Sequence, residues 1–357
     1  MPKEAVLTRP IKLSDVAKAA GVSQGTASNV FNRPQIVRPE VRERVEAAAR
    51  ALGYAGPDPK GRLLRAGKVN AIGIVTSDPL TYFFDDPYAR VLMSGIAAAC
   101  AEQGAGLSLV SAVNEEKLAW NIQSAIVDGF ILLCIEDGFR LVELTRERKL
   151  PFVALQYENR DPSISAIGVD DFDGARRIAE HLGALGHRRV AIISLQLAEI
   201  QVGPVALADV EKAVYSGTRD RILGYLRGME SFGVDPHTVP IVETRNDSET
   251  VSAALDHVFS LSEPPTAILA MSDRAALIAL DWLRAKGLKV PEDVSVVGFD
   301  GVPEAERSDP PLTTIAQPIE RMGREAVAMI LEHDDAPRQV MLDTELVIRG
   351  STAPPRG

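Results

Sequence analysis

The strongest constraint on the fold is a regular alternation of short apolar runs and amphipathic segments that begins at Val69. Nine runs rich in β-branched residues start at Val69, Leu107, Gly129, Phe152, Ala166, Val190, Val239, Ala267 and Ser295. Apolar residues spaced three and four apart predict helices between most of these runs, at 88–101, 172–185, 218–232, 248–261 and 273–286. Apolar strands joined by helical crossovers indicate parallel sheets covered on both faces. Nine such units favour two α/β lobes over one wide sheet.

The stretch LSDVAKAAGVSQGTASNVFN, residues 13–32, predicts two short helices joined by a tight turn. Its apolar residues place one inward stripe on each helix, and Gly21 supplies the break between them. We expect Ser14 to cap the first helix and Ser23 to cap the second. The outward positions of the second helix carry short polar side chains that suit a major groove.

A third helix is predicted from Pro39 to Leu52, because proline favours the first helical position and Gly53 favours the end. Residues 1–55 therefore form one small helical unit. The next residues, 56–68, are rich in glycine, proline and charge, which is typical of a linker.

Charge is distributed unevenly along the 357 residues, whose formal net charge is −10. Residues 1–68 contain thirteen Lys and Arg against six Asp and Glu, a net charge of +7, so the remainder carries −17. The basic part coincides with the helix-turn-helix pattern, as neutralisation of DNA phosphates requires. The acidic body would discourage indiscriminate binding to DNA.

Composition argues against several other classes. No apolar run approaches the roughly 20 residues that cross a bilayer, and no secretory signal is visible, so we expect a cytoplasmic protein without a membrane partner. Cys100 and Cys134 lack the spacing of a disulfide framework or a metal site and are interpreted as buried apolar fillers. The chain has no GxxxxGK[ST], GxSxG or HExxH and no GxGxxG after its first strand. We therefore predict no catalytic residues, no cofactor and no metal.

Two stretches after predicted strands have the character of insertions, Leu80 to Pro87 and Gln196 to Ser216. Ligands bind α/β folds at the carboxyl ends of parallel strands. We therefore expect both stretches to shape a pocket.

Several segments together resemble the bacterial repressors of the lac repressor (LacI/GalR) family. They are LSDVAKAAGVSQGTASNVFN, VRPEVRERVEAAARALGY, RLLRAGK, VDDFDGARRIAEHLGALGHRRVAIIS, VVGFD, PPLTTIAQP and ELVIRGST. The resemblance covers nearly the full chain. It implies an N-terminal all-α helix-turn-helix head and an α/β periplasmic-binding-protein-like body. The body would consist of two doubly wound parallel-sheet lobes with a small effector between them.

The resemblance also implies domain limits. The helix-turn-helix domain would span 1–55, the hinge 56–68, the N-terminal lobe 69–168 and about 301–340, and the C-terminal lobe 169–300 and about 341–352. Three crossovers would join the lobes, near Val169, near Asp300 and in the segment ELVIRG.

Residue by residue, the resemblance assigns DNA contacts to the second helix. Base-reading positions fall on Gln24, Gly25 and Asn29, and expected phosphate contacts are Ser23, Thr26 and Ser28. Many relatives have arginine where this chain has Asn29, and Gly25 offers no side chain. Asparagine can bind adenine through two hydrogen bonds, so the base preference of this head should differ from that of those relatives.

The linker corresponds to a hinge that becomes helical on the operator. Leu64 matches the leucine that wedges into the minor groove, and Arg62 and Arg65 would lie near phosphates. Gly61 stands where relatives prefer alanine, which weakens the expected hinge helix.

In the body, Arg221 matches an arginine that hydrogen-bonds effectors, and Asp300 matches its acidic partner. A guanidinium and a carboxylate in a closing cleft suit a polyhydroxylated ligand, so a carbohydrate effector is expected. Further effector contacts are expected at Ser272 and Asp273 in the second lobe and at Ser77, Tyr82 and Phe83 in the first.

Simpler structural roles remain open for some of these residues. Leu64 can be an ordinary interdomain contact, Arg221 a solvated helix cation, and Asp300 the cap of a turn. The acidic pairs Asp85–Asp86, Asp170–Asp171 and Asp334–Asp335 fit turn or capping roles better than acid/base chemistry, because neighbours along an extended chain point to opposite faces.

The whole pattern predicts a homodimeric, ligand-responsive transcription factor, most simply a repressor, that binds double-stranded operator DNA. The chain ends without a leucine-heptad helix, which favours a dimer over a tetramer. Co-repression would use the same parts. The alternative functions are a solute-binding protein of a transport system and a sugar-processing enzyme on an α/β scaffold.

Overall fold

The computed structural model describes residues 11–56, 68–133, 139–156, 161–198, 202–332 and 336–356. Contacts divide the chain into two compact units, Met1–Val69 and Asn70–Gly357, which we call the head and the body. Among the described residues, no helix combines the length and the apolar character needed to span a membrane.

The head contains three helices. They are α1 (Leu13–Ala19), α2 (Gln24–Asn32) and α3 (Pro39–Leu52), with a 3-10 turn at Pro34–Ile36. Small and β-branched side chains form its core: Val16, Ala17, Ala20, Ala27, Val30, Val45 and Ala49. The rings of Phe31 and Tyr54 meet edge to face at 5.7 Å and close one side of that core. Such small side chains let three short helices approach closely.

The ends of these helices test the expected caps. Ser23 caps α2 as predicted, because its Oγ accepts the Thr26 N–H at 3.0 Å. The expected cap at Ser14 is wrong, since α1 already begins at Leu13. Asp15 stabilises that end instead, as its carboxylate accepts the Lys12 N–H at 2.9 Å. Helix α3 ends at Gly53 with φ +69°, a left-handed conformation that glycine adopts without strain.

The first sheet of the body has six parallel strands in the order β12-β5-β4-β3-β1-β2. Their bounds are β1 (Ala71–Thr76), β2 (Gly106–Ser111), β3 (Gly129–Leu133), β4 (Phe152–Leu155), β5 (Ser165–Val169) and β12 (Gln339–Leu342). Every residue of β3 is buried, whereas the edge strands β2 and β12 are partly exposed. This gradient is what a parallel sheet covered on both faces requires.

The second sheet has seven strands in the order β13-β11-β10-β9-β6-β8-β7. They are β6 (Val190–Ser194), β7 (Gly203–Pro204), β8 (Ile241–Glu243), β9 (Ala267–Ala270), β10 (Ser295–Asp300), β11 (Thr313–Ala316) and β13 (Glu345–Val347). The two edge strands, β7 and β13, run antiparallel to their neighbours, and the inner strands are parallel. The two predicted lobes are thus two separate sheets.

Helices cover both sheets. They are α4 (Tyr82–Asp85), α5 (Pro87–Glu102), α6 (Glu115–Ser124), α7 (Phe139–Glu147), α8 (Asp171–Leu185), α9 (Leu207–Val210), α10 (Ser216–Glu230), α11 (Ser248–Phe259), α12 (Asp273–Ala285), α13 (Pro303–Arg307) and α14 (Ile319–Glu332). The five helices predicted from periodicity correspond to α5, α8, α10, α11 and α12, with ends shifted by at most two residues.

The chain passes between the two sheets at three places. It leaves the first sheet after Val169, returns between Ala316 and Ile319, and crosses again between Leu342 and Glu345. The expected return near residue 301 is wrong. Strand β11 pairs in parallel with β10, so the short helix α13 is a crossover within the second sheet. The chain therefore returns to the first lobe only after β11.

Candidate functional site

The second helix of the head presents the expected DNA contacts. Ser23, Gln24 and Gly25 are exposed, and Thr26, Ser28 and Asn29 are half-buried. Ala27 and Val30 on the opposite side are buried in the head core. The polar positions therefore share the outward side of one helix, which is the placement needed to enter a major groove.

Local hydrogen bonds order part of this surface. The Ser23 and Thr26 hydroxyls lie 2.8 Å apart, and the Asn32 amide donates to Ser28 Oγ at 3.1 Å. A Cβ added at Gly25 would meet only Ser23 Oγ, at 3.8 Å. Packing inside the head thus leaves room for a side chain at Gly25. The expected hinge contacts Arg62, Leu64 and Arg65, as well as Cys134, lie outside the described residues.

In the body, Arg221 of α10 is buried, with 5% of its surface exposed. Its Nε donates to Asp171 Oδ1 at 2.7 Å, and one Nη donates to the Met271 carbonyl at 2.7 Å. The guanidinium carbon also lies 3.8 Å from the centre of the Phe299 ring. The alternative interpretation of Arg221 as a solvated helix cation is therefore wrong.

Asp300, the last residue of β10, lies beside this arginine. Its Oδ1 is 3.8 Å from the nearer Nη of Arg221 and accepts the Gln317 Nε2–H at 2.9 Å. Its φ of +133° is uncommon for a residue with a side chain, and such conformations concentrate at ligand sites. Burial raises the pKa of Asp300 well above its usual value; Arg221 opposes this shift, and the charges of Asp273 and Asp86 add to it.

Ser272 and Asp273 follow strand β9 at the same edge of the second sheet. Ser272 Oγ caps α12 and donates to Asn246 Oδ1 at 2.6 Å. Asp273 is fully buried and accepts the N–H groups of Gly301 and Val302 at 2.7 and 2.8 Å. Burial raises its pKa to about 6, although these hydrogen bonds favour the charged form. Asp273 thus holds the turn after β10 in place.

The first-lobe predictions differ in placement. Ser77 is exposed just beyond strand β1, and Tyr82 is half-buried with its ring 6.0 Å from that of Phe83. Phe83 is only 2% exposed and belongs to the hydrophobic core. Phe83 therefore packs against the core at the inserted loop, and the direct effector contact expected at Phe83 stays a prediction.

Polar contacts bridge the two lobes beside this loop. The buried carboxylate of Asp86, which caps α5 in the first lobe, lies 3.4 Å from an Nη of Arg274 in the second lobe. The Asn246 amide approaches the same carboxylate at 3.5 Å, and Arg90 forms an ion pair with Glu304. The ion pairs Asp86–Arg274 and Arg90–Glu304 therefore connect the two lobes of the body.

Sequence reasoning missed several members of this site. The sequence assigns Asp86 and Asp171, as members of acidic pairs, to turn or capping roles, and it predicts no role for Arg274 or Gln317. Gln317 lies in the crossover after β11, 7% exposed, with its amide on Asp300. The predicted order of strands and helices contains one signal that could have found them. Each of these residues follows a strand or lies at the beginning of a helix. Among the described residues, no group of acids, histidines and cysteines is arranged to hold a metal ion.

Comparison with known proteins agrees with both units. Residues 12–56 match the profile described as bacterial regulatory proteins, lacI family, and residues 179–352 match that of a periplasmic binding protein-like domain. An HTH-type transcriptional regulator of Mycobacterium tuberculosis is 38% identical over 354 residues, covering 97% of this chain and 98% of that protein.

Two solved structures are similar along nearly the full length. A complex of the transcriptional regulator CelR with cellobiose is 28% identical with a TM-score of 0.68, covering 96% of this chain and 99% of that one. The lac repressor dimer bound to operator and the anti-inducer ONPF is 26% identical with a TM-score of 0.75, covering 97% and 100%. The chain therefore belongs to the lacI family of DNA-binding bacterial transcription regulators.

Proposed function

We propose that the protein is a cytoplasmic, homodimeric transcriptional repressor whose operator affinity is controlled by a small carbohydrate-like effector bound between the two lobes. Two heads would read a pseudo-palindromic operator, because a two-fold dimer presents the same helix to two half-sites.

The observation that carries the effector proposal is the buried polar group at the carboxyl edge of the second sheet. Arg221, Asp300 and Gln317 come from α10, β10 and the crossover after β11. Arg221 lies within ion-pair distance of Asp300, and Gln317 lies within hydrogen-bonding distance of it. Ligands of parallel α/β sheets bind at this edge. Bidentate donors and acceptors of this kind suit hydroxyl groups, and the related CelR structure contains cellobiose.

The proposed control acts through the relative pose of the lobes. An effector changes that pose only through a difference in its affinity for two poses. An effector that contacts Asp86 or Arg274 would compete with the ion pair between them and so favour a different pose. A changed pose would separate the paired hinges and withdraw Leu64 from the minor groove. Losing the wedge would lower operator affinity.

A mobility-shift assay with genomic DNA fragments, run with and without candidate sugars, tests the proposal. We expect a specific complex that at least one sugar weakens. A complex that a sugar strengthens would indicate co-repression instead. Failure to bind any fragment at low salt would exclude the regulator.

The hinge part has its own variant pair. Leu64→Ala should weaken specific binding more than non-specific binding, because only the specific complex contains the kinked central step. Leu63→Ala removes the same side chain one position away and serves as the matched control. Equal losses on specific and non-specific DNA for Leu64→Ala would rule out the wedge.

A further inference from the structure

Acidic groups outnumber basic groups where the cleft edge of the second sheet meets the first lobe. The described residues place four buried carboxylates there and two guanidinium groups within 4 Å of them: Asp86, Asp171, Asp273 and Asp300, with Arg221 and Arg274. Burial makes each uncompensated charge costly, because water no longer screens it. This edge therefore holds more carboxyl groups than cations, and a positively charged ligand would favour their ionised forms.

The charge of Arg221 is already used inside the protein. Its two short hydrogen bonds go to Asp171 and to the Met271 carbonyl, and its face is covered by the Phe299 ring. Arg274 in turn pairs with Asp86. Neither guanidinium makes a hydrogen bond to Asp300, whose nearest cation is the Arg221 Nη at 3.8 Å.

The hydrogen bonds that Asp300 does receive come from neutral groups. They are the Gln317 side-chain amide at 2.9 Å and the Asp273 N–H at 3.3 Å. The raised pKa of this carboxyl agrees with incomplete compensation of its charge. Asp300 therefore lacks the cationic hydrogen-bond donor that a buried carboxylate usually finds.

An independent observation points to a missing donor at the same place. Gln317 is 93% buried, and its Oε1 has no hydrogen-bond partner among the described residues. Its Nε2 donates to Asp300, and Oε1 belongs to the same amide group, so this unpaired acceptor lies beside the carboxylate. Buried amide oxygens are nearly always paired in folded proteins. A ligand that donates hydrogen bonds and carries positive charge would satisfy both groups.

We propose that the effector carries a protonated amine, which donates to the carboxylate of Asp300 and to Oε1 of Gln317. The inference rests on the effector-binding function proposed above and narrows its ligand to a cationic, amine-bearing polyhydroxylated compound. The same edge disfavours phosphorylated sugars, because both of its guanidinium groups are already paired with carboxylates and are not available to a phosphate. The polar hydroxyls of the ligand remain free to use the other acceptors of the cleft.

Isothermal titration calorimetry of the full-length protein at pH 7 tests the proposal with matched probes. The pairs are glucosamine with glucose, galactosamine with galactose, and mannosamine with mannose, and glucose 6-phosphate is the anionic probe. We expect one amino sugar to bind at least about tenfold more tightly than its neutral partner, because charge-assisted hydrogen bonds are about twice as strong as neutral ones. Glucose 6-phosphate should not bind.

Variants locate the preference. Asp300→Asn should reduce the preference for the amine within the binding pair to less than about threefold, because the amide carries no charge. Glu230→Gln removes an exposed carboxylate of α10 and should leave the preference unchanged. If every neutral sugar binds as tightly as its amino counterpart, or no amino sugar binds, the proposal is overturned. The mobility-shift assay measures operator binding on the same protein, and the calorimetry includes neutral sugars. Loss of the preference for amines therefore overturns this inference without overturning the proposed regulator function.

Discussion

Arg221 and Asp171 join the two helices α10 and α8 through an ion pair of 2.7 Å that is almost completely buried. Burial raises the pKa of Asp171, with smaller contributions from the charges of Asp220 and Asp170, and the guanidinium of Arg221 opposes that shift. Asp171 and Asp300 together outweigh the effect of burial on Arg221 and raise the pKa of its guanidinium, so Arg221 stays charged. The pair fixes the arginine on which the cleft edge is built.

Replacing Asp171 by Asn should therefore destabilise the body. The guanidinium would remain buried with only Asp300 nearby, at 3.8 Å, so we expect a loss of about 3 kcal/mol in the free energy of unfolding, at the low end of the range for breaking a buried pair. Urea denaturation measures it. Glu230→Gln, which removes an exposed partner of Arg227, should cost less than about 0.5 kcal/mol. Similar losses in the free energy of unfolding for both variants would mean that the buried pair stabilises the body no more than an exposed pair does.

The same two helices depend on two glycines for their close approach. A Cβ at Gly228 would lie 2.6 Å from the Arg176 carbonyl oxygen, and one at Gly224 would overlap the Phe172 carbonyl oxygen. Gly224→Ala should therefore lower stability by about 1–3 kcal/mol, since backbone atoms cannot move aside cheaply. Thermal unfolding checks this. Gly168→Ala is the control, because a Cβ at this position of β5 would have no atom within 4 Å. If Gly224→Ala leaves the stability unchanged, the two helices can move apart at little cost.

Local sequence patterns were sufficient for most elements of the fold. The recurrence of Val41, Val45 and Leu52, with Gly53 behind them, defines α3 because capping and periodicity act within one helix. The return to the first lobe was misplaced by about fifteen residues. Whether Thr313–Ala316 pairs with β10 or begins the first lobe depends on sheet pairing between distant residues, which no local pattern encodes.

The site shows the same division. Arg221 and Asp300 were predicted by resemblance, and the structure brings them together. Asp171 and Gln317 were missed because their roles arise only when α8 and the crossover after β11 fold against β10. The sequence could not assign the two rings of the short helix α4, because Phe83 is buried while its neighbour Phe84 is exposed, and one residue of register exchanges these positions.

Stability should also depend on pH through Asp300. The unfolded carboxyl has a pKa of about 4, and burial raises the folded pKa above it. Between these two values the folded protein holds a proton that the unfolded chain has lost, so the free energy of unfolding falls as pH rises. Asp300→Asn removes this contribution. Comparing urea unfolding at pH 5 and pH 8, we expect a smaller decrease for the variant than for the wild type; an identical decrease would contradict the raised pKa.

The head offers the sharpest test of base reading, because Asn29 lies on the outward side of α2 at a position where the family resemblance implies a contact with a base. Asn29→Ala should relax specificity at one base pair of each half-site by about 1–3 kcal/mol, while the salt dependence of binding stays unchanged. The measurement is binding to single-base variants of the operator at two salt concentrations. Asn32→Ala is the matched control, because its amide donates to Ser28 within the helix. A uniform loss across all sequences for Asn29→Ala would assign this side chain to the phosphate backbone, since phosphate contacts carry no base preference.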